Sequence, residues 1–290
     1  MKKVLRILNR FNVGGPTHNA TYLTKYLAPE YETKLIGGKK LESEAAFEYL
    51  LKKNGIDYSI LENMNRSLNP VKDFKAFLEI RKIIKDYKPD IVHTHASKSG
   101  ALGRLAAISL KVPIILHTFH GHVFHSYFGK LKTHFYILVE RFLAKNSSAI
   151  IAISQLQKNE LTKDFNICPD KKISVIPLGF DLEKFQVNYT EQRKSFRDEF
   201  CIKENEICIG IIGRLTAIKD HDFFIRAIKK VIEKTNQPLK IFIIGDGEEK
   251  ASLMNLSNRL DLVFSTHTEI NLKALIHFTS WRSDMNKVYA

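Results

Sequence analysis

Short apolar runs and amphipathic stretches alternate along most of this chain. Residues 4–8 read as a strand, and 17–27 as a helix with Leu23 and Leu27 on one face. A weak strand at 33–36, a helix at 42–54 and a strand at 57–61 follow. Asn69 then stands as a cap with Pro70 in the first helical turn, and Phe74, Phe77, Leu78, Ile80, Ile83 and Ile84 mark the apolar face of a long helix. Strand 91–95, helix 100–110, strand 113–118, helix 131–145, strand 149–153, helix 155–165 and strand 173–176 complete a first series. Such alternation predicts parallel βαβ units wound into a sheet with helices on both faces.

The rhythm breaks at 178–205, which is polar and mixed in charge. A second series follows: strand 207–212, helix 222–233, strand 239–244, helix 248–260, strands near 262–265 and 274–279, and the start of a helix at 283–290. The expected organisation is α/β with two domains, 1–180 and 205–290, and 181–204 as the crossing. The run Ile207, Cys208, Ile209, Ile211 and Ile212 suits a strand buried on both faces. The second series has fewer strands than the first. Its domain is expected to be incomplete, with an open edge covered by a partner or by further sequence.

Composition narrows the class. A chain of 290 residues is long enough for two buried cores. Its 44% hydrophobic and 26% charged residues suit a soluble globular protein, and its apolar runs are far shorter than a membrane span. Two lysines precede an apolar patch at the start, as in a signal peptide. Arg6, Asn9 and Arg10 interrupt that patch and no small-residue cleavage site follows, so a first strand is expected rather than export. Cys168, Cys201 and Cys208 are odd in number and lack metal spacing, which fits a reducing cytoplasm. A net charge of +14 points to nucleic acid, an anionic membrane surface or an anionic substrate. The lysines are spread along helix faces, without an arginine-rich arm, zinc finger or RNA-binding signature. An anionic ligand with loose membrane contact is therefore favoured over nucleic acid.

Candidate chemistry sits at strand ends. Gly213-Arg214 ends the run at 207–212, and Lys219 follows just before a helix. Ligands of open α/β sheets bind at that edge, and an arginine fork with a lysine point charge suits a diphosphate. A solvated basic loop is the plain alternative. Gly14-Gly15 follows the first strand, where it lets backbone approach a ligand or simply makes a tight turn. It matches neither GxGxxG nor a Walker loop, which argues against NAD and against P-loop ATP binding. His93, His95, Lys98 and Ser99 end another strand and open a helix, with Ser97 or Ser99 as cap and Lys98 facing an anion. The densest ionisable cluster is His117, His120, His122 and His125. No carboxylate or cysteine lies among them, and His117 and His120 point to opposite faces of a strand. Hydrogen bonding or proton handling is expected there rather than a metal. Gly245-Asp246-Gly247 makes a turn after 239–244, a weak signal by itself.

Taken in order, these motifs resemble the GT-B glycosyltransferases of family 4, the retaining nucleotide-sugar transferases. The resemblance rests on Gly14-Gly15, PDIVHTH (89–95), FHGH (119–122), AISQLQKNEL (152–161), VIPLGFDLEKF (175–185), GRLTAIKD (213–220) and IIGDGEE (243–249). It implies two Rossmann-like, doubly wound parallel-sheet domains facing a cleft, with the acceptor on the first and the nucleotide-sugar on the second. Arg214 and Lys219 match positions that contact the donor diphosphate, and Gly14 and Gly15 lie in the loop that approaches the donor. His120 matches the histidine placed near the transferred sugar. His95, Lys98 and His122 become acceptor-side candidates. The family uses no catalytic metal and no cofactor beyond its donor, since Arg and Lys stabilise the leaving diphosphate.

The family pattern continues with an E-x7-E segment after the GDG turn, which this sequence does not show. Glu183, Glu191 and Glu199 have that spacing but lie in the polar crossing, as chance matches. The expected function is transfer from a UDP-sugar to a glycan or lipid-linked acceptor in surface polysaccharide assembly. It would take place in the cytoplasm, with peripheral contact at the inner face of the membrane. Two rivals are an inactive remnant that binds a glycan or protein partner, and a nucleotide-sugar epimerase of the same architecture. The sugar, acceptor, linkage and oligomeric state are not written in these motifs.

Overall fold

The computed structural model describes residues 1–40, 47–65, 67–121, 124 and 129–290. By internal contacts the chain divides into two units, Met1–Phe180 and Asp181–Ala290.

In the first unit β1 (Lys2–Arg10), α1 (Gly15–Tyr26), β2 (Tyr31–Gly38), α2 (Glu48–Lys53), β3 (Tyr58–Leu61) and α3 (Pro70–Tyr87) come first. They are followed by β4 (Ile91–His95), α4 (Ser97–Ser109), β5 (Ile114–Phe119), α5 (Lys130–Lys145), β6 (Ala149–Ala152), α6 (Gln155–Asn159) and β7 (Ile173–Val175). Its seven-stranded parallel sheet has the order β3-β2-β1-β4-β5-β6-β7. Alternate residues of β1 serve opposite faces, as the pleat requires. Leu5 and Ile7 pack with Val92 and Ile115 against Ile80 and Ile84 of α3 and Ala106 and Ala107 of α4. Leu8 joins Phe11, Ala20 and Leu35 in a second cluster.

Local signals act where the sequence places them. Asn69 caps α3 by accepting from the Lys72 amide at 3.0 Å. Residues 42–46 of the expected second helix lie outside the described residues, and its later part forms α2. The apolar face expected for α3 is narrower in the fold. Ile80 and Ile84 are buried, whereas Phe74 and Leu78 stay 61% and 46% exposed, on a flank that the sheet does not reach. No serine caps α4: its cap is Ala96, and the Ser99 hydroxyl donates back to the His95 carbonyl.

The second unit begins with α7 (Glu183–Gln186) and α8 (Tyr189–Glu199), inside the polar stretch 181–204. Phe196 of α8 and Ile202 pack on Phe242 and Ile244. Glu199 is held by both terminal nitrogens of Arg282, at 2.6 and 2.8 Å. Then come β8 (Ile207–Ile212), α9 (His221–Ile232), β9 (Leu239–Ile244), α10 (Lys250–Arg259), β10 (Phe264–Thr266), β11 (Ile276–Ser280) and α11 (Met285–Val288). The parallel sheet runs β10-β11-β9-β8. Here β8 departs from expectation. It is an outer strand with one neighbour, so Ile209 and Ile211 reach the core while Ile207 and Ile212 remain 48% and 39% exposed. An apolar run makes a doubly buried strand only if the sheet order puts it inside. Among the described residues no helix is long and apolar enough to cross a membrane.

Candidate functional site

In the first unit the histidines converge where β4 and β5 end. The register sets Thr94 beside His117 and His95 beside Thr118. His93, His95 and His120 share one face, and His117 takes the other. His93 Nε2 and Thr118 Oγ1 share a hydrogen bond at 2.8 Å, and so do His117 Nδ1 and Thr94 Oγ1. His95 Nδ1 and His120 Nε2 lie 2.9 Å apart, so one carries the proton and the other accepts it. His95 Nε2 and His120 Nδ1 are buried and have no partner among the described residues. Gly100 is demanded by this packing, since a Cβ there would come within 2.5 Å of the His117 ring.

Burial holds all four rings neutral. It drives His93, His95 and His117 well below the usual imidazole range, helped by neighbouring cations and rings. It lowers His120 from 6.5 to about 4. Below pH 6.5 the unfolded chain therefore binds protons that the folded chain refuses. Stability is full above pH 6.5 and falls as the pH drops, by about 1.4 kcal/mol per pH unit for each such histidine. Urea midpoints measured from pH 7.5 to 5 should fall accordingly. A flat profile would show that the rings are not buried and neutral.

Ala96, between His95 and α4, adopts φ 63 and ψ 164, a region normally left to glycine. Replacing it with glycine should stabilise the first unit by about 1 kcal/mol, the relieved strain less glycine's entropy cost. A lower thermal midpoint for Ala96→Gly would contradict this.

The remaining expected residues of this unit are placed differently. Lys98 is not turned to an open anion site: its ammonium pairs with Asp73 of α3 and donates to the Ser67 carbonyl at 2.6 Å. His122 and His125 lie outside the described residues. Gly14 is the cap of α1 in an extended conformation that any residue adopts. Among the described residues, a Cβ on Gly15 would meet nothing within 4 Å, so their packing does not require glycine there and they leave the space before it clear.

In the second unit three loops interlock at one sheet edge. The Gly213 amide donates to the Ile244 carbonyl at 2.9 Å and the Leu215 amide to the Asp246 carbonyl at 3.0 Å. The Gly245 amide donates to the Ser280 carbonyl at 3.0 Å and the Glu249 amide to the Leu215 carbonyl at 3.1 Å. Gly245 has φ +141, and a Cβ there would lie 1.9 Å from the Gly213 carbonyl oxygen. A Cβ on Gly247 would lie 2.4 Å from that of Leu215. The two glycines of the turn thus exist to admit the backbone of the Gly213–Arg214–Leu215 segment. Asp246 accepts from Ser280 Oγ at 2.7 Å, Lys250 Nζ at 3.0 Å and the Gly247 amide at 2.9 Å. Burial raises its pKa, but these hydrogen bonds outweigh burial and leave the carboxyl below its ordinary value.

On this brace Arg214 is half-buried and Lys219 exposed, with the Lys219 stem lying 3.9 Å from where a Gly213 side chain would begin. Asp220 caps α9, its carboxylate accepting from the Phe223 amide at 3.3 Å. Both cations therefore precede a helix N-terminus that already carries the Asp220 carboxylate on one of its amides, so the cations themselves are the main attraction for an anion here.

Residues 13–184 match the family model described as Glycosyltransferase Family 4, and 192–277 match the model described as Glycosyl transferases group 1. The chain belongs to glycosyltransferase family 4. This family 4 chain is 36% identical over 226 residues to the Escherichia coli UDP-Gal:alpha-D-GlcNAc-diphosphoundecaprenol alpha-1,3-galactosyltransferase, covering 77% of itself and 55% of that protein. It is 26% identical over 194 residues to the capsular polysaccharide biosynthesis glycosyltransferase CapM of Staphylococcus aureus, 66% of itself and 50% of CapM. The chain thus spans about half the length of the curated relatives it matches. The crystal structure of Anabaena Alr3699/HepE in complex with UDP and glucose superposes with a TM-score of 0.76 at 17% identity, over 99% of this chain and 71% of that one. That likeness establishes the fold, two Rossmann-like domains of the GT-B type.

Motif reading missed several groups that position this family 4 site. Thr94 and Thr118 hold the histidines, but a threonine in a strand is unremarkable until the register of its neighbour is known. Ser280 fixes Asp246 from another strand, a tertiary fact without a local signature, whereas Lys250 reaches it at i,i+4 spacing that the sequence does show.

Proposed function

We propose that this chain serves a retaining, metal-independent transferase that moves a sugar from a UDP-sugar to a glycan or lipid-linked acceptor. The observation that carries the reading is the pair Arg214 and Lys219 on a loop braced by the GDG turn, ahead of the α9 N-terminus. In the transfer, the bond from sugar C1 to the diphosphate oxygen breaks and a bond to the acceptor hydroxyl oxygen forms. Negative charge grows on the leaving diphosphate, and the proton of the acceptor hydroxyl leaves with it. A guanidinium and an ammonium fixed beside that charge lower the barrier without reorganising, which is the work a metal would otherwise do. His120 is assigned to the transferred sugar, because a neutral imidazole offers a hydrogen-bonding nitrogen without adding charge. The clear space before Gly15 is assigned to the donor. His95 and His122 are acceptor-side candidates.

The Escherichia coli relative is named for a UDP-sugar and a diphosphoundecaprenol acceptor, and the Anabaena structure was solved with UDP. Both support a UDP-sugar and a lipid-linked acceptor here. The net charge of +14 supports peripheral contact with the anionic inner face of a membrane, in the cytoplasm.

The test is transfer of radiolabel from UDP-galactose or UDP-glucose to a lipid-diphosphate-linked GlcNAc, by the protein expressed from its own gene. Product with the donor's anomeric configuration, formed equally in EDTA, is expected. An inverted product or a strict requirement for a divalent cation would sink the proposal. UDP binding without transfer to any glycan acceptor would favour the rival reading, a binding protein that no longer turns over.

A further inference from the structure

Two strand-end histidines of the first unit stand at different depths. His95 of β4 is fully buried, while His120, just past β5, is half-buried. His95 Nδ1 lies 2.9 Å from His120 Nε2, and the ring planes are 26° apart with centroids at 5.2 Å. His93 stands on the other side of His95, with its ring centroid 4.3 Å away and its Nε2 tied to Thr118 Oγ1 at 2.8 Å. The main chain of His95 is held as well. Its carbonyl accepts from the Ser99 hydroxyl, and the next carbonyl, of Ala96, accepts from the Gly100 amide at 2.8 Å. Ala96 takes its positive φ directly after His95. Strain kept at one residue by its surroundings marks a place where geometry outranks local stability.

We propose that His95 is a positioning residue for sugar transfer: it fixes the His120 ring assigned to the transferred sugar, and does not itself meet the acceptor. This role rests on the transferase reading and moves His95 away from the acceptor side. A buried ring whose Nδ1 is already engaged reaches an acceptor hydroxyl only if the pair is broken. The N···N contact also couples the protons of the two rings. Burial keeps both neutral, so a single proton lies between them. If His95 Nδ1 carries it, His120 Nε2 is bare and His120 holds its own proton on Nδ1. If His120 Nε2 carries it, His95 Nδ1 is bare and His95 holds its proton on Nε2. Either way the two rings share one tautomer, and the ring beneath sets whether His120 Nδ1 donates or accepts. A side chain locked from behind stays in its productive geometry, and a misplacement of about 1 Å costs about 10²-fold in rate.

NMR of the protein expressed from its own gene, labelled with heavy-nitrogen histidine, tests the pair without any substrate. His95 and His120 should report the same tautomer and a scalar coupling across the N–H···N bond. In His95→Phe the coupling should vanish and His120 should become a mixture of tautomers. Turnover of this variant should fall about 10- to 100-fold, with acceptor KM and UDP affinity within about twofold of wild type. His95→Asn, whose amide stands where Nδ1 does, should recover most of that loss. Opposite tautomers, or no coupling in wild type, would overturn the proposal. Unchanged turnover in His95→Phe would also overturn it, as would a raised acceptor KM at unchanged turnover, the signature of a lost acceptor contact. Equal losses in the Phe and Asn variants would do the same. Absence of transfer by wild type would strike the transferase reading, and this role with it. That failure is told apart from failure of the pair, which the NMR reads by itself.

Discussion

Replacing Arg214 and Lys219 together by alanine should weaken UDP binding by about 3–6 kcal/mol, or roughly 10²- to 10⁴-fold. Each charge-assisted contact to a phosphate is worth about 1.5–3 kcal/mol, and the two cations act on one diphosphate. The substitutions should leave the fold intact. The loop carrying them is held by amide–carbonyl bonds from Gly213, Leu215 and Glu249, none of which uses the two side chains. Calorimetric titration with UDP, run beside thermal denaturation, separates the two effects. Raising salt should weaken wild-type binding more than that of the double variant, because screening acts on the charges removed. Unchanged UDP affinity in a folded double variant would remove the diphosphate assignment.

The second large effect is expected at His120. His120→Ala should lower turnover by about 10²- to 10⁴-fold, the usual worth of a positioned acid–base or hydrogen-bonding group, with UDP affinity within about twofold. The substitution strands the His95 nitrogen 2.9 Å away, so a thermal midpoint must accompany the kinetics. The pH profile distinguishes a chemical role from a structural one. Burial holds His120 near 4, so its neutral form predominates through pH 6 and its protonation should not limit the rate until the pH falls well below that. A wild-type limb with an apparent pKa near 6.5 that vanishes in the alanine variant would mean that His120 is solvated. Unaltered turnover in the variant would end its assignment to the transferred sugar.

The alternation of strands and helices was legible because each element carries its own period, and a parallel sheet is what such a series can build. What depends on sheet order was not. The run 207–212 is apolar throughout, but whether both faces are covered is decided by residues far along the chain, and β8 lies outermost. Phe74 and Leu78 have helical spacing, yet how wide a face α3 buries depends on what α3 meets. The helix α8 had a usable signal in Phe196 and Phe200, four residues apart in a polar background. At the candidate site the strand-end positions of His95, His120, Arg214 and Lys219 follow from local pattern. The pairing of His95 with His120 needed the β4–β5 register, and the capture of Lys98 by Asp73 needed the docking of α3 on α4. The GDG turn was a weak motif because its meaning lies in two carbonyl oxygens supplied by another loop.

In the first sheet β1 lies between β2 and β4. A ribosome delivers β1 early but cannot supply its second neighbour until Ile91–His95 has been made and has cleared the exit tunnel. At roughly 5–20 residues per second, the stretch from Arg10 to Ile91 alone takes on the order of ten seconds to synthesise. Throughout that interval Leu5 and Ile7 lack the β4 neighbour and the α4 cover that bury them in the finished unit. The nascent chain therefore presents an inner strand of the finished sheet as an unsatisfied edge, a natural substrate for ribosome-bound chaperones. Rare codons between Arg10 and Ile91 should lower the soluble yield more than the same codons placed after β4.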